Sequence, residues 1–311
     1  MNPTRLCSSS NVLSLVLATV AATVILSGCG GGGSSSSSAD AVTSAVAQGT
    51  ISGNAVKGPL SGATVSAYGL SNGTAGSALA SAKTDAHGAF ALSVGGYSGP
   101  VMLRLTGGTY TDEATGSMMS MASSDAMTAV LANMAAGSAA SGVQMTPLTS
   151  MAQAMAVHMA GGMTSANIAT ANAAVGVYFM VDDIVYTPPM NPLVAGSGSA
   201  AAPASMNYGM TLAAMSQYAK NVGMPVSASL VADMMADASD GTMDGTASGS
   251  QIMMGGMMMG GGAMMQPDAG TSGLAGAMSD FLASGMNQSG VTSANMSALM
   301  QKLMSANGRM H

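Results

Sequence analysis

Thioether sulfur is the soft group this chain has in excess: 34 of its 311 residues are Met. Seven of them, Met253, Met254, Met257, Met258, Met259, Met264 and Met265, sit in one Gly-broken segment of residues 252–265. Thioethers favour Cu(I), and glycines let a loop fold around an ion. The same residues oxidise reversibly to sulfoxide, so the segment also reads as an oxidant sink, or as low-complexity filler. A second set lies at helical spacing. Met151, Met155 and His158 share one stripe, with Met159 beside them. That is either an S,S,N copper set or core packing, which is the common use of such a Met stripe.

Oxygen ligands are sparse. Asp240-Gly241-Thr242-Met243-Asp244-Gly245 opens like a calcium loop, with Asp240 and Asp244 at positions one and five. Thr242 stands at the third position and Gln251 at the twelfth, where a bidentate Glu belongs. A weak calcium site and an Asp/Gly-rich helix exit both remain open. Asp182-Asp183 lacks a His or Lys partner in sequence reach and reads as a helix end. The three histidines are His87, His158 and His311, and Glu113 is the single Glu. No zinc-peptidase, nucleophile-elbow, Walker or CxxC motif occurs. An enzyme is therefore not expected. With 6% charged residues and a formal charge of −6, a basic nucleic-acid surface is excluded.

The elements that position these groups begin with an export signal. Residues 12–26 form an apolar run behind Arg5, the length of a signal core and short for a membrane span. The run ends in Leu26-Ser27-Gly28-Cys29, which resembles the lipobox of bacterial lipoproteins. The resemblance implies cleavage after residue 28, diacylation of Cys29 and no free thiol in the mature chain. Gly30 after the Cys resembles outer-membrane sorting in a Gram-negative cell, facing the periplasm or the surface. The partner so implied is a membrane, reached through lipid. Residues 29–48 follow as a Gly/Ser-rich tether with a reach of roughly 20–25 Å. Gly28 to Gly33 formally match GxGxxG, but no strand precedes them, so no nucleotide site is inferred.

Residues 49–116 switch to period two. Ala63, Val65 and Ala67 alternate with polar residues, as do Phe90, Leu92 and Val94, and Val101, Leu103 and Leu105. Turn residues separate the runs at Lys57-Gly58-Pro59, Ser71-Asn72-Gly73, Asp85-Ala86-His87-Gly88 and Gly95-Gly96. A small antiparallel β-sandwich is expected. Gly58-Pro59-Leu60-Ser61-Gly62-Ala63-Thr64-Val65 and Thr84-Asp85-Ala86-His87-Gly88-Ala89-Phe90 resemble the carboxypeptidase regulatory-like domain, a prealbumin-like, carbohydrate-binding-like fold. In that pattern Asp85 would bond the turn backbone, Gly88 would supply a permissive φ and Phe90 would plug the core. The continuation from Gly107 through Thr109-Tyr110-Thr111-Asp112-Glu113 to Gly116 resembles a subgroup of proteobacterial lipoproteins in which a helical region follows. The resemblance implies a fold and a place, not a reaction. Sugar binding would need aromatic platforms, and Tyr68, Tyr97 and Tyr110 are the candidates in this domain; core or turn roles are the other reading.

Residues 117–311 are expected to be a Met-rich helical domain, irregular near 188–204 and 241–273. Thr146 with Pro147, and Thr164, read as helix starts. Stripes follow at Ile168/Ala171/Val175/Phe179, Tyr208/Leu212/Met215/Ala219 and Met296/Leu299/Met300/Leu303. The fold class expected is β then α. The function expected is a lipid-anchored, non-enzymatic binding or structural module with a protein or glycan partner, and Cu(I) or oxidant chemistry as the competing class.

Overall fold

The structure, a computed structural model, describes residues 47–254 and 263–310. These fall in one compact unit, Ala45–His311. Strands come first and helices follow, with one short two-stranded ladder, Thr246–Ala247 paired with Ser250–Gln251, set among the helices. The strands are β1 (Gly49–Ala55), β2 (Thr64–Ser71), β3 (Thr74–Lys83), β4 (Ala89–Gly95), β5 (Gly99–Thr106), β6 (Thr109–Thr111), β7 (Met118–Ser120), β8 (Ala126–Met134) and β9 (Ala139–Met145). The helices are α1 (Pro147–His158), α2 (Ser165–Tyr178), α3 (Pro203–Asn221), α4 (Ser229–Ala238), α5 (Ser272–Ala283) and α6 (Ser293–Ser305).

One sheet has the order β4-β1-β9 and another β3-β2-β5-β8. Alternation sets their faces: Phe90, Leu92 and Val94 are buried on β4, and Val101, Leu103 and Leu105 on β5. Asp85 Oδ1 accepts from the amides of His87 and Ala89, and Gly88 has φ +79°, as the turn pattern predicts. All named pairs are antiparallel except β1 with β9, which is parallel. A purely antiparallel arrangement is thus corrected.

The boundary expected at residue 116 is also corrected. β8 and β9 lie beyond it and complete the two sheets. Residues Met127 to Leu131 of β8 are all buried, because α1 and α2 cover the face that water would otherwise wet. A strand covered on both faces loses its period-two signature.

A buried ionic cluster joins the strands to the helices. Lys57 follows β1 and is 1% exposed; its Nζ lies 3.0 Å from Glu113 Oε2. Nζ also donates to Ser216 Oγ on α3, and Ser216 in turn donates to Glu113 Oε2. Glu113 Oε1 accepts from the Gly58 amide at 2.8 Å, so both carboxylate oxygens are used. The Tyr110 ring lies 5.5 Å from Nζ. Beside it, Asp112 Oδ2 accepts from Ser227 Oγ, and the Ala228 amide donates to the Tyr110 hydroxyl just ahead of α4.

Two glycines separate close packing from open space. A Cβ at Gly53 would stand 1.8 Å from the Val143 carbonyl oxygen, across the β1–β9 pair. Gly276, inside α5, has nothing within 4 Å of such a Cβ. Gly53→Ala should cost about 3 kcal/mol or more in denaturant unfolding, while Gly276→Ala should gain up to ~1 kcal/mol.

Candidate functional site

The cap of α1 fixes the best-built candidate. Thr146 and Thr149 form a reciprocal capping box, and Pro147 occupies the first turn. The Ser150 hydroxyl accepts from the Thr128 amide of β8, and the Thr149 hydroxyl donates to the Thr128 carbonyl. α1 is thereby seated on the sheet at a fixed rotation. Leu148 and Met151 face the core with no exposure. Met151 is therefore removed from the copper set: no ion reaches it.

Met155, His158 and Met159, one turn further on, line a cavity of about 370 Å³. Its other wall is the segment after α4, through Ser239, Asp240, Gly241 and Ser248. His158 Nδ1 lies 2.9 Å from the Ala154 carbonyl oxygen. A carbonyl only accepts, so Nδ1 is the donor, and Nε2 is the ring nitrogen left for another partner. The cavity thus combines two thioethers and one imidazole nitrogen. Met155 and Met159 are spaced four apart with His158 between, which the sequence shows; Asp240 joining them comes from the packing of α4 on α1.

The acidic residues do different work from the one their spacing suggested. Asp240 Oδ1 accepts from the Thr242 amide and Oδ2 from the Ser248 amide. Asp244 Oδ1 accepts from both the amide and the hydroxyl of Thr246. These carboxylates cap the loop that leaves α4, as a helix-exit role requires. Among the described residues no group of three His, Cys, Asp or Glu is placed to hold a metal. Asp240 contributes charge to the cavity wall.

Asp237, the last acid of α4, pins the same loop: its Oδ1 accepts from the amides of Asp244 and Gly245. Its Oδ2 is buried without a partner. Burial pushes the Asp237 carboxyl up to about 7, against the lowering effect of the Gly245 and Asp244 amides.

The Met-rich segment divides at its base. Met253 and Met264 pair across an antiparallel bridge, and both are about two-fifths exposed, at 41% and 42%. Their neighbours Met254 and Met265 are buried, and backbone bonds Met254 N to Ala263 O and Met265 N to Ile252 O close the ladder. Half of this base is therefore core packing, contrary to an all-loop expectation. Met257, Met258 and Met259 lie outside the described residues, as does Cys29.

The tyrosines are not a sugar platform as a set. Tyr110 is buried and bonded to Ser227 and Ala228. The Tyr97 hydroxyl is spent on Leu70 and Pro100, with its ring against Gly69. Tyr68 alone stays half-exposed on β2 without such ties.

No protein-family model matches the chain, and no curated protein matches it in sequence.

Asp237 generates a pH prediction. Its folded pKa is raised, so the stability it contributes is fully present below pH ~4 and lost as pH rises through about 7. Between pH 4 and 8 the wild-type chain should lose roughly 2–4 kcal/mol from this group, and Asp237→Asn should flatten that slope in denaturant titrations.

Proposed function

We propose that the protein is a lipid-anchored, non-enzymatic binding module of the bacterial outer membrane, and that its ligand is Cu(I). The anchor would be Cys29, with residues 29–48 as tether. The binding groups are Met155 and Met159 sulfur and His158 Nε2, with the Asp240 charge in the facing wall. One observation carries the reading: α1 and the segment after α4 bring these side chains together around a single cavity, with His158 and Asp240 exposed to solvent. Two thioethers and an imidazole suit a soft monovalent ion and offer little to Mg²⁺ or Ca²⁺. What supports a carboxypeptidase regulatory-like sandwich for the strands is that Ile51 and Leu92 of one sheet and Val65 and Leu103 of the other enter one buried cluster.

Oxidant scavenging is the second reading. Met118, Met253, Met264 and Met304 are exposed and would be oxidised first, without loss of packing.

The test is anaerobic competition for Cu(I) against a chromophoric chelator. The full chain is used in detergent, with Cys7→Ser and Cys29→Ser so that no thiol competes. Submicromolar binding is expected, weakened at least tenfold by Met155→Leu/His158→Gln/Met159→Leu and unchanged by Met253→Leu/Met264→Leu. Absence of competition, or loss only in the second variant, overturns the site.

A further inference from the structure

The segment that leaves α4 carries a small flap. Thr246–Ala247 pairs with Ser250–Gln251, and the tip is exposed from Ser248 to Gln251. Its root is pinned by Asp237 of α4, whose Oδ1 accepts from the Asp244 amide at 3.0 Å and the Gly245 amide at 2.7 Å. The Ile252 amide donates to the Gly245 carbonyl and closes the root on the return side. Before the root the chain is held by other means: Met243 is buried, and its amide donates to the Gly308 carbonyl. Gly245 and Gly249, both with φ +79°, let the backbone turn at the root and at the tip. The Ser248 amide donates to Asp240 Oδ2, which sets the flap against the cavity beside α1.

Asp237 is fully buried, and its Oδ2 has no partner. The charges that the segment brings toward it are the Asp240 and Asp244 carboxylates, which oppose its ionisation. Asp233 stands one turn earlier on α4. α2 and α3 present Tyr178 and Tyr218, both held neutral by burial and, further, by the Asp237 charge. Asp268, ahead of α5, also faces Tyr218. α1 has His158 as its one titratable side chain, and that ring lines the cavity with Asp240. Arg309, in the tail that pairs with Thr242, forms no ion pair with Asp237 among the described residues. A neutral carboxyl is tolerated at such a position, whereas an ionised one demands water at Oδ2. The flap, exposed at its tip and tied at its root by this same side chain, is the part that can yield to admit it.

We propose that residues 244–251 form a proton-dependent latch, closed on α4 while Asp237 is protonated and released as Asp237 ionises. Closed, Ser248 and Asp240 complete the cavity wall; released, that wall opens on its solvent side. The sensing belongs to the flap and Asp237, and only its consequence for ion entry rests on the Cu(I) reading. The folded carboxyl sits at about 7 and an exposed one near 4, so the closed form is favoured in full below pH ~4 and loses its advantage as pH rises through about 7. Opening should become on the order of a hundredfold more favourable between about pH 5 and pH 8.

Amide hydrogen exchange tests the latch on the full chain in detergent, metal-free and with Cys7→Ser and Cys29→Ser. Rates are corrected for the intrinsic pH dependence of exchange. From about pH 5 to pH 8, protection of the Asp244, Gly245, Ser248 and Ile252 amides should fall on the order of a hundredfold, while the Met243 amide and those of α1 keep theirs. Asp237→Asn keeps an acceptor for the root amides and cannot ionise, so its flap should show no such dependence. In the wild type the carbon-13 shift of the Asp237 carboxyl should titrate with the same midpoint as the loss of protection, a check that needs no variant. Protection independent of pH, an equal loss in Asp237→Asn, or a loss shared by Met243 and α1 overturns the latch. With no metal present, each of these outcomes is separate from the outcome of the Cu(I) titration.

Discussion

The Lys57–Glu113 pair is the constraint on which the rest of the molecule is arranged. Removing two charges from water costs several kcal/mol each, and attraction offsets that only with tight geometry and full hydrogen bonding. Here Glu113 uses both oxygens, and Lys57 reaches Ser216 as well as the carboxylate. The partners come from the β1–β2 turn, the segment after β6, and α3. A packing of helices on strands that separated any of the three would leave a buried charge or polar group without its partner. The pair therefore acts as a registry device, setting which arrangement forms more than how stable it is.

Its consequences reach the candidate site. Asp112 and Tyr110, next to Glu113, hold Ser227 and Ala228 at the entry to α4. α4 ends at Asp237 and delivers the loop whose Asp240 and Ser248 face Met155 and His158. α1 meets that loop because its first turn is locked to Thr128 of β8. The cavity beside α1 is thus a product of two anchorages, neither of which includes Met155, His158 or Met159.

Much of this was legible in the residues. Period-two runs and turn chemistry marked β4 and β5, and the Thr146-Pro147 and Thr164 caps marked α1 and α2. β8 was illegible because it is covered on both faces, and its continuous apolar run reads as well for a helix. Met155, His158 and Met159 were visible as a helical face, whereas the fate of Met151 required knowing which turn meets the sheet. Asp240 and Asp244 left two readings open because loop capping and cation binding ask for the same residue at the same spacing. Lys57 looked like a turn residue and Glu113 a lone acid, since 56 residues separate them. Only a signal coupling distant positions would have revealed that pair.

Native-state hydrogen exchange on the full chain, comparing wild type with Glu113→Gln, tests the registry claim most directly. The substitution leaves the Lys57 charge buried without its counter-charge, a change worth about 3–5 kcal/mol. Amides of β1, β5, α3 and α4 should then lose protection together and by a similar factor. Loss confined to α3, with the strands and α4 as protected as before, would contradict the account.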